Sequence, residues 1–407
     1  MFQDGARLDA AAVKKGLDRN RASNNPNFAP DFRTAFASVE VTGPLSVRLN
    51  LSQPISGEFF EFLAGRETMI VSPKAIDDGV NIDEHPVGAG AYQFVSFARE
   101  EKPTLRKFPK YWNARVYKLK KIDFVQTAGG PPTVSALRAG TIDAAGVNEQ
   151  DVTGLTGGGI KLYERPSDAT LYFFAMCTTS PPFDQLKVRQ AIAYALDRKA
   201  MNQAAFNGHG IVSSLPWAKG SRFYDAKLDQ QYAHNPAKSK RLLADAGMAN
   251  GFSFDAATLS TPPFSTLGQV MQSQLADVGI KMNLVTISNP VQEVFVDHKA
   301  PTTLLVVIRP GVQKVVRLLS PDASANWCHY NNPKINATMD RLKAVGDTSP
   351  EAAGLWKEAE RLINADVPVL YLAFTRLIVA ASPQVKGVKQ LYGFAQAINF
   401  EGVDVKR

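Results

Sequence analysis

Five histidines, His85, His209, His234, His298 and His329, are the first residues to test for chemistry. Two imidazoles three or four residues apart on one helix face are the usual seed of a zinc site. None of the five is spaced that way and none belongs to an H-E-x-x-H pair, so a zinc centre would have to be assembled entirely by the fold. No G-x-S-x-G elbow exposes a serine nucleophile. Gly88-Ala89-Gly90 starts like a dinucleotide-binding turn, but Gln93 stands in the third glycine's place. The Gly154 to Gly159 loop ends in Ile160-Lys161, without the Gly-Lys-Ser/Thr of a phosphate cradle, and reads as a surface turn. Cys177 and Cys328 fit neither a metal spacing nor a CxxC motif; they form one disulfide or remain two small buried hydrophobes. These motifs give an enzyme no positive support and do not exclude one, and no metal and no cofactor are expected.

Two side chains suit the binding of a small solute. Arg309 ends an apolar run just before Pro310-Gly311. Its guanidinium could clamp a carboxylate, or reach solvent from a strand end. Trp217 follows Leu215-Pro216 and could stack on a ligand or pack in the core.

The elements that must position these residues are legible in patterning. The chain has 407 residues, 45% of them hydrophobic, enough for more than one lobe. Its net charge is +8, and the basic residues read as scattered over a solvated surface; the densest group, Lys118, Lys120 and Lys121, is too short for a nucleic-acid stripe. No stretch is long and apolar enough for a bilayer span, and Met1 to Ala10 carries Asp4 and Asp9, unlike a secretory signal. Asp9 caps an opening helix with Val13 and Leu17 on one face. Val39 and Val41, a Gly43-Pro44 turn, then Val47, Leu49 and Leu51 predict a hairpin. Tyr92 to Val125 stays strand-like.

After Phe183 helices and strands alternate. Asp184 is expected to cap a helix that buries Val188, Ile192 and Leu196. Asn235-Pro236, Asn332-Pro333 and Ser349-Pro350 each combine a capping side chain with proline at the first turn. Gly247 closes the first of these helices. The second buries Ile335, Met339 and Leu342, the third Leu355, Ala359 and Leu362. Val367 to Ala373 reads as a buried strand. Strands separated by helices of this length predict a largely parallel sheet.

Several segments, in order, resemble one family. Phe2-Gln3-Asp4-Gly5 with Leu8, Ala11 and Val13 is similar to F-x-D-G-x-x-L-x-A-x-D-V, with Ala12 where an acid is usual. Pro86 to Tyr92 resembles P-x-G-T-G-P-Y, and the aromatic pair Tyr111-Trp112 follows. Ala136 to Asp143 resembles aLqsGeiDia, and Pro236 to Gly247 resembles peKAkaLLaeAG. Most specific is Pro182-Phe183-Asp184 with Val188 to Arg198, which resembles PFdDvrVRqAlayAiDR. These are features of the extracellular solute-binding proteins, family 5, which serve the oligopeptide, dipeptide and nickel ABC importers of bacteria.

The resemblance implies an α/β, two-lobed fold of the periplasmic-binding type II kind, closing by a hinge on a peptide-like solute or metal chelate between the lobes. It implies a periplasmic monomer that meets ABC permease subunits in the membrane and no nucleic acid. Lobe one is expected over residues 1–172, including a small strand-rich subdomain, lobe two over 173–368, and a return to lobe one over 369–407. Tyr172 to Thr178 and Val367 to Ala373 would be the crossings. The family's ligand loop then falls near Met176, Cys177 and Thr178, and Tyr371 lies near the return crossing. Because Met1-Phe2 lies inside the family's first motif, the first lobe is expected to be incomplete at its N-terminus. Arg309 stands where dipeptide binders place an acid for the ligand's amino terminus, which argues against a simple peptide ligand.

Overall fold

A computed structural model describes residues 1–23, 36–52, 63, 65, 68–96, 102–308, 313–321, 323, 325–345, 349–388 and 398–406. The chain divides into two compact units. One gathers the described residues up to Arg165 and those from Leu377 onward; the other comprises Pro166–Arg376.

In the first unit, α1 (Ala10–Ala22) starts where expected: the Asp9 carboxylate accepts from the Ala12 N–H at 3.0 Å. β1 (Phe36–Gly43) and β2 (Ser46–Leu51) form the expected antiparallel hairpin, with Val39 opposite Leu49 and Val41 opposite Val47. α2 (Pro73–Asp77) is capped by Ser72. β3 (Tyr92–Ser96), β4 (Thr104–Lys107) and β5 (Lys121–Asp123) make a separate three-stranded antiparallel sheet. α3 (Pro131–Arg138), β6 (Ala144–Val147) and the single turn α4 (Val152–Leu155) follow. Leu137 and Leu155 bury themselves against Ala380, which the chain supplies on its return.

The second unit is built on a mixed sheet. β7 (Lys161–Met176) leads in; α5 (Leu186–Ala195), α6 (Arg198–Phe206), β8 (Ile211–Val212), α7 (Ala226–Asp229) and α8 (Pro236–Asp245) come next. Then come β9 (Phe252–Leu259), α9 (Phe264–Ala276), β10 (Ile280–Ile287), β11 (Thr302–Ile308), α10 (Gln313–Leu319), α11 (Pro333–Val345), α12 (Pro350–Asp366) and β12 (Val369–Ala381). The strand order is β10-β9-β11-β7-β12. β9 runs parallel to β10 and β11, but β11 is antiparallel to β7, so the expected largely parallel sheet is in fact mixed. The reason is connectivity: β7 enters from the first unit rather than from a helical crossover, and only helical crossovers enforce parallel pairing.

Side chains alternate across this sheet and make two cores. Leu171, Phe173 and Ala175 of β7 join one with Trp217, Trp356 and Tyr371. Tyr172, Phe174 and Met176 join the other with Val188, Ile192 and Leu196 of α5 and its end. Asn235 and Ser349 cap α8 and α12 as expected. Asp184 does not cap α5: Gln185 holds that position, with no side-chain cap bond. Instead the carbonyls of Phe183 and Asp184 accept from Arg189. α12 is also turned slightly from its expected face. It buries Trp356, Glu360 and Ile363 beside Leu355 and Ala359, whereas Leu362 is only partly buried.

β12 continues into the first unit, where Ile378 to Ala381 pair antiparallel with β6. β13 (Val385–Lys386) then pairs with β14 (Asp404–Val405), and Val379, Val385, Val388 and Val403 close a small core. β7 and β12 are thus the strands in which the chain passes between units, at Arg165/Pro166 and Arg376/Leu377.

Candidate functional site

Trp217 and Tyr371 meet in one core of the second unit. The 213–217 segment is tied from below by Asp229, whose carboxylate accepts from the Ser214 N–H at 2.6 Å and from the Tyr224 hydroxyl at 2.7 Å. Ser213 Oγ donates to the Trp217 carbonyl at 2.9 Å. The Trp217 ring is fixed edge-on against Trp356 of α12, with centroids 5.4 Å apart, and against Phe223 at 4.9 Å. Tyr371 sits on β12, its carbonyl accepting from Arg198 Nε at 2.8 Å. Arg198 is itself buried, and burial pulls its guanidinium down to about 10.

Around these two residues the sheet and α12 gather polar atoms that have no hydrogen-bond partner among the described residues: Trp217 Nε1, Trp356 Nε1, the Tyr371 hydroxyl and both carboxyl oxygens of Glu360. Glu360 is 2% exposed. Burial, reinforced by Asp225 and Asp229, pushes its carboxyl up to about 9, so it carries its proton near neutral pH. Burial raises the Tyr371 phenol as well, with Glu360 adding to the shift. Lys314 of α10 is wholly buried, its ammonium 5.2 Å from the ring centres of both Trp217 and Phe374. The group combines indole N–H donors, a phenol, a neutral carboxyl and a cation on an aromatic floor. Groups of these kinds can hydrogen-bond a polar solute.

The other sequence candidates fall elsewhere. Met176 lies in the opposite core, because it alternates with Ala175 along β7. Cys177 is bonded to Cys328, with Cα atoms 5.2 Å apart, so the two cysteines pair and neither is a free thiol. Thr178, next to the disulfide, is half-buried. Arg309 lies outside the described residues. Sequence reasoning missed Trp356, Glu360 and Lys314. A signal for Glu360 existed: it follows Trp356 by four residues, on the face that also presents Ala352, Ala359 and Ile363.

The sequence profile of the bacterial extracellular solute-binding proteins, family 5 Middle, matches residues 1–304. A glutathione-binding protein, GsiB of Salmonella paratyphi A, is 31% identical over 408 residues, covering 95% of this chain and 78% of that protein. Among solved structures, AgaA in complex with agropinic acid, from A.tumefacien R10, superposes with a TM-score of 0.87 at 25% identity, over 100% of this chain and 85% of that one. The ABC transporter-associated periplasmic binding protein DppA of Helicobacter pylori, in complex with the peptide STSA, superposes with a TM-score of 0.84 at 20% identity, over 99% and 82% of the two chains. That last likeness concerns the fold alone.

Proposed function

Because this chain belongs to the bacterial extracellular solute-binding proteins of family 5, the substrate-binding components of ABC importers, we propose that it captures a peptide-like or sugar-acid-like solute carrying a carboxylate. The family match over residues 1–304 is the observation that carries the reading. The fold is the α/β fold of type II periplasmic binding proteins. Capture is by hinge closure about β7 and β12, the two strands that pass between the units. No bond is made or broken in the solute.

The site supports a group that accepts hydrogen bonds, as a carboxylate does. Trp217 and Tyr371 supply donors that have no partner among the described residues, and the Lys314 amine lies 5.2 Å from the Trp217 ring centre. Met176, Cys177, Thr178 and Arg309 remain further candidates for the solute's surroundings. Glutathione and agropinic acid, the ligands named for two similar proteins, both carry carboxylates. The working place is the periplasm. The Cys177–Cys328 disulfide suits an oxidising compartment, and no helix among the described residues is long and apolar enough to cross a membrane.

Calorimetric titration with glutathione, dipeptides, agropinic acid and a nickel–histidine chelate tests this. The expected result is saturable binding of at least one carboxylate-bearing solute, recovered unchanged afterwards. Product formation from a bound compound, or tight binding confined to uncharged sugars, would overturn it.

A further inference from the structure

The first unit carries a second feature, apart from the residues described above. From Tyr92 to Val125 the sequence has nine Lys and Arg against three Asp and Glu, in a chain whose whole net charge is +8. The fold sets two of these cations side by side. β4 pairs with β5 so that Arg106 stands opposite Lys121, although like charges in direct register weaken a sheet. Lys121 is relieved by Asp123 at 2.9 Å. Arg106, Lys110, Arg115, Lys118 and Lys120 are all exposed and make no ion pair among the described residues.

Trp112 projects from the same subdomain and is 85% exposed. Large aromatic side chains are seldom left so far out in water. Its base is built: Tyr111 packs on Tyr117 edge-on at 5.5 Å, Tyr117 on Tyr92 at 5.7 Å, and Tyr92 on Phe400 at 5.9 Å. Trp112 is carried outward from this stack, with Tyr111 as its ring neighbour at 5.8 Å.

We propose that the β3–β5 subdomain docks on an anionic lipid bilayer, with Trp112 at headgroup depth and the surrounding lysines and arginines over acidic headgroups. Charge complementarity selects a polyanionic surface. The indole selects a bilayer over an acidic protein, because an amphipathic ring on a polar rim is at its most favourable in the headgroup layer. Lysine predominates over arginine in the patch, which fits a diffuse sheet of charge better than the paired carboxylates of a protein. The attraction acts over a Debye length and is therefore salt-sensitive.

Co-sedimentation of the full chain with sucrose-loaded vesicles tests the proposal. Phosphatidylcholine alone is compared with phosphatidylcholine containing about 30% phosphatidylglycerol, at low and at high salt. Binding is expected only to the anionic vesicles, and is expected to fall at high salt. The triple variant Lys110→Glu, Lys118→Glu, Lys120→Glu is expected to lower the partition coefficient at least about tenfold. The matching reversal of Lys199, Lys227 and Lys240, exposed on the second unit, is expected to change it far less. Trp112→Ser tests the aromatic part: it is expected to weaken binding while leaving the melting temperature unchanged. Equal binding to neutral vesicles, or indifference to the triple reversal, would overturn the proposal. So would a lack of binding to anionic vesicles at low salt, which would leave an acidic protein as the occupant. None of these outcomes depends on which solute the protein captures.

Discussion

The Arg189 guanidinium donates to the Asp366 carboxylate at 2.7 Å, joining residues 177 positions apart. Its Nε also donates to the Asp366 carbonyl at 2.8 Å, and its other nitrogen to the carbonyl of Phe183 at 2.7 Å. Asp366 in turn accepts from the Tyr330 hydroxyl at 2.6 Å. One arginine of α5 therefore holds the end of α12, the turn before α5 and, through Asp366, the segment ahead of α11. The side chain of Arg189 is 5% exposed. A planar fork is the one cation that satisfies this many acceptors at once.

Removing that fork leaves a carboxylate and three carbonyls short of donors. Arg189→Met is expected to lower the unfolding free energy by roughly 3–5 kcal/mol. Asp366→Asn keeps an acceptor and is expected to cost less, about 1–2 kcal/mol. Urea unfolding of both variants checks the order; an Arg189→Met loss no larger than that of Asp366→Asn would contradict it.

Glu360 makes stability fall as pH rises. Its folded carboxyl titrates at about 9, against 4.5 for the unreacted group, so the folded chain keeps a proton that the unfolded chain releases. No penalty exists below about pH 4.5. The penalty grows between there and about pH 9, by at most about 1.4 kcal/mol per pH unit, and then levels off. Glu360→Gln cannot ionise. It is expected to be more stable than the parent at pH 8, with the difference shrinking towards pH 5. Parallel melting curves at several pH values would refute this by showing a constant offset.

The disulfide spans a separation of 151 residues, tying the residue after β7 to the segment before α11. Closing so long a loop restricts the unfolded chain and is worth about 2–5 kcal/mol. Reductant is expected to lower the melting temperature of the parent protein and to leave that of a Cys177→Ser, Cys328→Ser variant unmoved. A parent melting point insensitive to full reduction would show that the loop is held by packing alone.

Trp217 separates packing from recognition. Trp217→Phe keeps an aromatic ring against Trp356 and Phe223 but deletes the N–H. If that donor reaches the solute, affinity is expected to fall about tenfold, one hydrogen bond's worth, with little change in melting temperature. An unchanged dissociation constant, measured by calorimetry, would return Trp217 to a purely structural role.

The sequence by itself determined the local grammar and the family. Asp9, Asn235 and Ser349 cap the helices they precede, because capping needs only a side chain and the next three amides. The β1–β2 hairpin followed from alternation across a turn, which is equally local. The segment from Val188 to Arg198 marked the family, and its chemistry is now visible: Arg189 holds Asp366, and Arg198 holds the backbone of Tyr371.

Tertiary structure alone decided the rest. Met176 and Tyr371 were both candidates in sequence, yet they lie in different cores, because one residue of register sends a side chain to the other side of a sheet. The pairing of Cys177 with Cys328 depends on where β7 and the loop before α11 place two distant sulfurs. Glu360 reads as a surface glutamate of a helix, yet the fold leaves it 2% exposed. The direction of β7 against β11 made the expected largely parallel sheet a mixed one, and the β4–β5 register set Arg106 opposite Lys121. Each of these depends on contacts between residues far apart in the chain, which local spacing does not encode.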